Sequence, residues 1–370
     1  MKITKLTIKT KSKAYPIYFG NKILNSIKVL VKKNLPDTKK ISIISDKNLP
    51  GYLIKKIVKS LKIYNPKVYK LNSNEKIKNF KVANKLIEKL LKDNLNRSDC
   101  VIALGGGVIS DLTAFVASVT KRGIGFINIP TTLLSQVDAS IGGKTGVNSN
   151  QGKNLIGTFY QPNFVLIDIS TLETLPHREM ICGYAEILKH SLIQDKKFFI
   201  WLNKNAKKIL NKKDKTLLKK AILKSCRIKC RVVQKDEKEK DLRMILNFGH
   251  TFAHGFEAAK KFSKKMNHGE AVLLGMMAAN LFSYKKKILP YKDLFLIKQH
   301  YKNLNLPLDL KKFFKISDIN KIIFFMKKDK KNISEKINLI LIKKIGKIIK
   351  SNSFPIKANE IRKFLINSYF

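Results

Sequence analysis

The residues that could do chemistry are few. The chain has six histidines, His177, His190, His250, His254, His268 and His300. His250 and His254 stand four apart in Asn247-Phe-Gly-His250-Thr-Phe-Ala-His254, and His268 follows in Asn267-His268-Gly-Glu270. Side chains four apart share a helix face, so spacing pairs His250 with His254. Glu186 lies on an earlier helical stretch, close to Lys189. Two imidazoles and a carboxylate, with a fourth position open, make the donor set of a catalytic zinc ion. Such histidine pairs also arise by accident on surface helices, so spacing alone leaves the ligand set open.

Two glycine-rich stretches could hold anions. The apolar run Cys100–Leu104 leads into Gly105-Gly106-Gly107 and then a helical stretch over 108–119. Glycines let a backbone turn tightly, and a following helix start points N–H groups at a phosphate. Asp111 could cap that helix or reach a ribose. The spacing is not the G-x-G-x-x-G dinucleotide fingerprint, so a tight structural turn is an equal reading. The second stretch is Asp138-Ala-Ser-Ile-Gly-Gly-Lys144-Thr-Gly, followed by Gly152-Lys153-Asn154. It ends like a P-loop, but Asp138 occupies the first glycine position of that motif. A P-loop is therefore rejected, and an anion and hydroxyl site or a surface loop remain. Cys226 and Cys230, also four apart, have no partner pair nearby in sequence and read as buried small hydrophobes, as do Cys100 and Cys182.

These residues need elements to hold them. Ile41–Ser45, Cys100–Leu104, Phe126–Ile129 and Phe164–Ile167 read as strands, with helical spacing over Lys76–Leu91. Strands alternating with helices imply an α/β domain with a largely parallel sheet. From about Pro176 the pattern becomes helical, over Tyr184–Ile193, Phe198–Leu210, Lys215–Val233, Leu246–Ala259 and Glu270–Tyr284, with little strand signal before Ile337–Ile342. The expected organisation is an α/β domain over 1–170 and an all-α domain over 171–370.

Composition sets the outer bounds. At 370 residues and 44% hydrophobic the chain is too long for one ordinary core and too apolar to be disordered. Four cysteines are not a secreted disulfide framework. No apolar run spans a bilayer, and Met1–Lys11 alternates like a strand and lacks a signal-peptide core, so no membrane and a cytoplasmic setting are expected. Seventy-five basic against 26 acidic residues give a net charge of +49. A nucleic-acid binder is the tempting inference, yet only seven of the basic residues are Arg, the side chain whose fork reads phosphates and bases. The lysines are spread along the chain with many Ile and Asn, as an A/T-rich codon preference would produce.

Taken together, the motifs resemble the 3-dehydroquinate synthase family nearly end to end. The carriers are Ile44-Ser-Asp46-Lys-Asn48, Glu75-x-x-Lys78, Leu104-Gly-Gly-Gly-Val-Ile-Ser-Asp111, Lys121-Arg122-Gly123, Ile129-Pro-Thr-Thr132, Gln136-Val-Asp138 through Lys144-Thr-Gly, and Gly152-Lys-Asn-Leu-Ile-Gly157. Thr174-Leu-Pro, Gly183-Tyr-Ala-Glu186 through His190, Lys229, Asp236-Glu237, Arg243-x-x-Leu-Asn247-Phe-Gly-His250, His254, His268-Gly-Glu-Ala and Asp329-Lys330-Lys331 follow in order. Asn74 and Ser110 stand where the family has Gly, and Ala253-His254-Gly255 replaces Gly-His-Ala; none of the three removes a reacting group.

The resemblance implies the active site in a cleft between the two domains, a homodimer, NAD+, and Zn2+ or Co2+. It implies conversion of 3-deoxy-D-arabino-heptulosonate 7-phosphate to 3-dehydroquinate and phosphate, the second step of the shikimate pathway. It assigns the metal to Glu186, His250 and His268, overruling the spacing that paired His250 with His254. His254 then becomes a proton relay near the leaving phosphate. Lys229 and Arg243 match carboxylate contacts. Lys144, Asn154, Asn247 and one of Lys330 or Lys331 match phosphate contacts, and Arg122 matches a residue reaching across the dimer. Asp138 and Lys189 fit hydrogen bonds to substrate hydroxyls. NAD+ contacts fall on Asp46, Asn48, Glu75, Lys78, Gly107, Val108, Ile109, Ser110, Asp111, Thr131, Thr132, Lys144, Lys153, Thr171, Leu172, Glu173 and Thr174. The rivals are a cyclase making 2-deoxy-scyllo-inosose, which would leave Lys229 and Arg243 without a carboxylate, and a polyol dehydrogenase, which would release NADH stoichiometrically.

Overall fold

The computed structural model describes residues 3–212, 214–263, 265–328, 336–349 and 354–368. The chain divides into two compact units. One comprises Met1–Pro176 with Leu218–Glu237, and the other His177–Leu217 with Lys238–Phe370. The chain thus leaves the first unit, returns to it with one helix, and leaves again.

The first unit runs, in chain order, β1 (Thr4–Lys9), β2 (Ala14–Gly20), α1 (Ile27–Asn34), β3 (Ile41–Asp46), α2 (Gly51–Ser60), β4 (Lys67–Leu71), α3 (Phe80–Lys92), β5 (Cys100–Gly105) and α4 (Gly107–Val119). It continues with β6 (Gly125–Pro130), the ribbon β7 (Val147–Ser149) and β8 (Gly152–Ile156), and β9 (Phe164–Asp168). Seven strands form one sheet in the order β1-β2-β9-β6-β5-β3-β4, parallel except for the β1–β2 hairpin. The central strands are near-continuous apolar runs because both faces are covered: Ile43, Ile102, Leu104, Ile127 and Leu166 pack on one side, and Ile44, Val101, Ala103 and Phe126 on the other. The helix expected over Lys76–Leu91 begins later, as α3. Asn79 accepts a hydrogen bond from Val82 N at 2.9 Å and so starts the helix there.

The order of strands has a consequence for binding. From β3 the chain moves outward to β4, then crosses back to β5 and onward to β6. Ligands of open parallel sheets lie beyond the carboxyl ends of strands at such a reversal. Ser45 pairs with Leu104 in register, so Asp46 and Gly105 end β3 and β5 side by side.

The second unit contains α5 (His177–Gln194), α6 (Lys196–Leu210), α8 (His250–Ala259), α9 (His268–Lys285), α10 (Tyr291–Asn303), α11 (Ile319–Lys327) and α12 (Ala358–Asn367); α7 (Lys215–Lys235) lies almost wholly in the first. It is helical as expected, but not free of strands. Two antiparallel ribbons join β10 (Lys336–Leu339) to β13 (Phe354–Lys357) and β11 (Ile342–Lys344) to β12 (Lys347–Ile348). Among the described residues no helix is long and apolar enough to cross a membrane.

Candidate active site

In the first unit the three glycines turn β5 into α4. A Cβ on Gly105 would meet the Ile109 side chain at 2.8 Å, and one on Gly106 the Thr132 methyl at 3.1 Å. Gly105 and Gly106 are therefore tightly packed, whereas a Cβ on Gly107 would meet only the Ala139 methyl at 3.4 Å, an ordinary contact. No side chain caps α4 at Gly106, so its first-turn N–H groups, over Gly107, Val108 and Ile109, face outward as an anion cradle would. Thr131 N donates to Gly105 O at 3.0 Å, and Ser110 Oγ donates to Asn128 Oδ1 at 3.0 Å, which anchors the loop after β6 and the start of α4 to the sheet.

Asp111 is the fifth residue of α4 and does not cap it. Lys78 Nζ lies 2.8 Å from Asp111 Oδ2 and donates to Asn154 Oδ1 at 2.5 Å. Burial alone would lower the pKa of Lys78, but the neighbouring carboxylates of Asp111 and Glu75 outweigh it and hold the ammonium above its ordinary value. Asn148, which the motifs do not single out, completes the cluster. Its amide donates to Glu75 Oε1 at 2.8 Å, and its Oδ1 accepts from Asn154 N at 2.9 Å. The cradle is thus bordered by an alternating set of acid, ammonium and amide groups suited to ribose hydroxyls.

The other first-unit residues have definite places. Asp46 Oδ1 accepts from Asn48 N at 2.9 Å, forming a turn at the end of β3. Thr132 Oγ1 and Ser135 Oγ are 3.0 Å apart. Thr171 Oγ1 donates to Asp168 O at 2.8 Å; Leu172 beside it is buried, while Glu173 and Thr174 are exposed. Lys144 and Asn154 are exposed and Lys153 half-buried. Asp138 sits in a single wide turn, Ser135–Ala139, of the kind that recurs at functional sites. It holds Lys229 of α7 by an ion pair of 2.7 Å and by its backbone carbonyl. Arg122 is exposed, with a left-handed φ of 64°.

In the second unit three side chains converge. Glu186 is 1% exposed, and its Oε1 receives no hydrogen bond among the described residues. His250 Nε2 lies 3.6 Å and His268 Nε2 3.9 Å from that oxygen. The three ligand atoms all fall within 4.8 Å of one another. The opposite ring nitrogens meet acceptors: His250 Nδ1 is 3.3 Å from Phe248 O, and His268 Nδ1 is 3.5 Å from Glu257 Oε2. Such outer partners fix the tautomer that leaves Nε2 a lone pair. The donor set, two imidazole nitrogens and one carboxylate oxygen that receives no hydrogen bond among the described residues, fits a divalent ion. Lys189 pairs with Glu186 Oε2 one turn along α5. His254 is not in the group; its ring stands edge-on to His250 at 5.7 Å.

Glycines place both imidazoles. Gly249, with φ of 79°, starts α8 immediately before His250, which is why the helix expected from Leu246 begins only there. A Cβ on Gly275 of α9 would lie 2.2 Å from Gly249 O, and one on Gly269, next to His268, would lie 2.2 Å from Cys182 Cα of α5. Arg243 is buried in the turn Leu242–Asn247, and Asn247 Nδ2 donates to Glu239 Oε1 at 2.9 Å. Lys330 and Lys331 lie outside the described residues. Glu257 was missed in the motifs although it follows His254 by three residues, a spacing that keeps both on neighbouring parts of one helix face.

Comparison with known proteins adds an independent line. Residues 68–182 match the sequence family described as 3-dehydroquinate synthase N-terminal, and residues 183–332 match 3-dehydroquinate synthase C-terminal. A 3-dehydroquinate synthase of Pelagibacter ubique is 52% identical over 346 residues, 94% of each chain. One of Dictyoglomus thermophilum is 44% identical over 343 residues, 93% of each. Among solved structures, a 2-deoxy-scyllo-inosose synthase complexed with carbaglucose-6-phosphate, NAD+ and Co2+ superposes with a TM-score of 0.87 at 24% identity, covering 99% of this chain and 100% of its own. The 2-epi-5-epi-valiolone synthase of Streptomyces hygroscopicus, with NAD+ and Zn2+ bound, gives 0.85 at 23%, covering 97% and 98%. At those identities the structural likeness concerns the fold.

Proposed function

The chain belongs to the 3-dehydroquinate synthase family, and on that footing we propose that it is a phosphorus–oxygen lyase turning 3-deoxy-D-arabino-heptulosonate 7-phosphate into 3-dehydroquinate and phosphate. The observation that carries the reading is the buried Glu186 Oε1, with no hydrogen-bond donor, facing the Nε2 atoms of His250 and His268. Those three residues would hold Zn2+ or Co2+, which supplies Lewis acidity. The cradle after β5, with Lys78, Asp111 and Asn148 beside it, would hold NAD+, which would supply a hydride acceptor.

The chain's own residues do the rest. Lys229 and Arg243 would bind the substrate carboxylate, and Asp138 keeps Lys229 oriented before substrate arrives. Lys144, Asn154 and Asn247 would take the phosphate, with one of Lys330 or Lys331 as a further cation. Lys189, tied to Glu186, and Asp138 would hydrogen-bond the substrate hydroxyls and so orient the carbon that loses hydride. His254, beside His250, would donate or relay a proton near the departing phosphate. The substrate's own phosphate serves as base in the elimination, so no further protein base is required. Arg122, exposed at the end of its loop, would reach the phosphate of a second subunit, which makes the functional species a homodimer. The setting is cytoplasmic, in keeping with four free and buried cysteines.

The test is to mix the purified protein with the heptulosonate phosphate, zinc and a trace of NAD+. Phosphate release in excess of the NAD+ supplied is expected. Stoichiometric NADH without phosphate would mark a dehydrogenase instead. Equal turnover of a phosphorylated sugar lacking the carboxylate would remove the role given to Lys229 and Arg243.

A further inference from the structure

α5 and α9 meet along a ladder of three contacts. Arg178, Cys182 and Glu186 are spaced four apart on α5 and share one face. They meet Glu270, Gly269 and His268, consecutive residues at the start of α9. On the first rung Arg178 Nε and Nη2 donate to Glu270 Oε1 and Oε2, each at 2.7 Å. On the second, Gly269 N donates to Cys182 Sγ at 3.2 Å, with the backbones too close for any Cβ on Gly269. The third is the approach of His268 Nε2 to Glu186 Oε1 at 3.9 Å.

Glu270 has a second task. Its Oε2 accepts from Asn267 N at 2.8 Å while Asn267 Oδ1 accepts from Glu270 N at 2.8 Å. This capping box fixes the first turn of α9, of which His268 is the first residue. One carboxylate therefore shapes that turn and fastens it to α5. A guanidinium fork on a carboxylate sets orientation as well as distance, which a lysine cannot do.

We propose that Arg178 is a positioning residue of the metal site: its fork on Glu270 sets the register of α9 against α5 and thereby the separation of His268 from Glu186. The inference rests on reading Glu186, His250 and His268 as the metal ligands. Ligand sets held by a supporting shell bind metal more tightly than the same ligands left to find their geometry, so the effect belongs in metal affinity.

The experiment measures the zinc dissociation constant of the full-length protein against a chromophoric chelator, with the thermal midpoint of the metal-free form alongside. The variants are Arg178→Ala, Arg178→Lys, Glu270→Gln, whose amide can still close the capping box, and the double variant Arg178→Ala/Glu270→Gln. Arg362→Ala is the control; it removes another exposed guanidinium contact in the same unit, Arg362 Nε to Asn320 Oδ1 at 2.7 Å. Each of the three single variants is expected to weaken zinc about tenfold. The double variant should be no weaker than either single, because both break one interaction, and Arg362→Ala should stay within twofold. Wild-type affinity in Arg178→Ala, full rescue by lysine, additive losses in the double variant, or an equal loss in Arg362→Ala would each overturn the proposal. A wild-type protein that takes up no zinc would overturn the ligand reading itself, a different result from intact zinc binding that ignores Arg178.

Discussion

Glu186 concentrates the physics of the site. A buried ionised carboxylate is costly unless it is paired and hydrogen-bonded. Lys189 answers one of its oxygens; the other looks toward two imidazoles whose far nitrogens face acceptors. Replacing His268 by Ala removes one of the three proposed ligands, so the purified variant is expected to lose its metal and its turnover together, as elemental analysis beside an activity assay would show. Full activity without metal would end the zinc argument. His254→Ala should behave differently: metal content intact, with kcat reduced on the order of a hundredfold or more, the scale of a lost proton-transfer group. A pH effect belongs to another residue. His300 is buried, bonded to Tyr184 Oη at 2.8 Å, and burial lowers its pKa to about 4. Its unfolded value is about 6.5, so the unfolded chain binds the proton more readily. Stability from this group is complete above pH 6.5 and falls as pH drops toward 4, by roughly 3 kcal/mol in total. Denaturant midpoints of wild type and His300→Gln should converge across that window; parallel profiles would show that His300 does not titrate with unfolding.

Elements turn these residues into a site, and glycines do much of the work. α9 is gripped at Gly269 by α5 and at Gly275 by the start of α8, and each grip sits beside a histidine of the group or the residue that precedes one. Gly269→Ala or Gly275→Ala drives a Cβ into backbone, which rotamer changes cannot relieve. Each is expected to cost at least the ~3 kcal/mol at the top of the overpacking range, read as a lowered thermal midpoint or loss of soluble protein. A variant as stable as wild type would mean that the helices can part without penalty. The sequence reveals much at this scale. β5, the triple glycine and α4 follow from an apolar run, three glycines and helical spacing. The helix at 250 is less readable, because apolar spacing continues back to Leu246 and only the left-handed Gly249 breaks it. Of the ribbon strands, β10 and the start of β11 overlap the Ile337–Ile342 stretch that carries strand signal, whereas β12 and β13, two and four residues long, carry too little alternation to register.

For the whole molecule, a charge of +49 is the dominant fact that the site does not explain. It should draw anionic substrate and destabilise the fold by self-repulsion. The thermal midpoint is therefore expected to rise between about 0.01 and 0.15 M salt, as the screening length falls from ~30 to ~8 Å, and the substrate KM to rise over the same range. A midpoint indifferent to salt would show that the lysines are too dispersed to matter. The amino-acid order by itself determined the α/β-then-helical organisation, the glycine turn and the family, because apolar periodicity and ordered motifs are properties of the chain. It could not choose the ligands: spacing paired His250 with His254, and only the resemblance argued for His268. Tertiary structure gathered Glu186, His250 and His268, since a common point in space depends on how three helices cross and not on their separation along the chain. The same holds for Glu257 behind His268 and for the fork of Arg178 on Glu270, 92 residues apart.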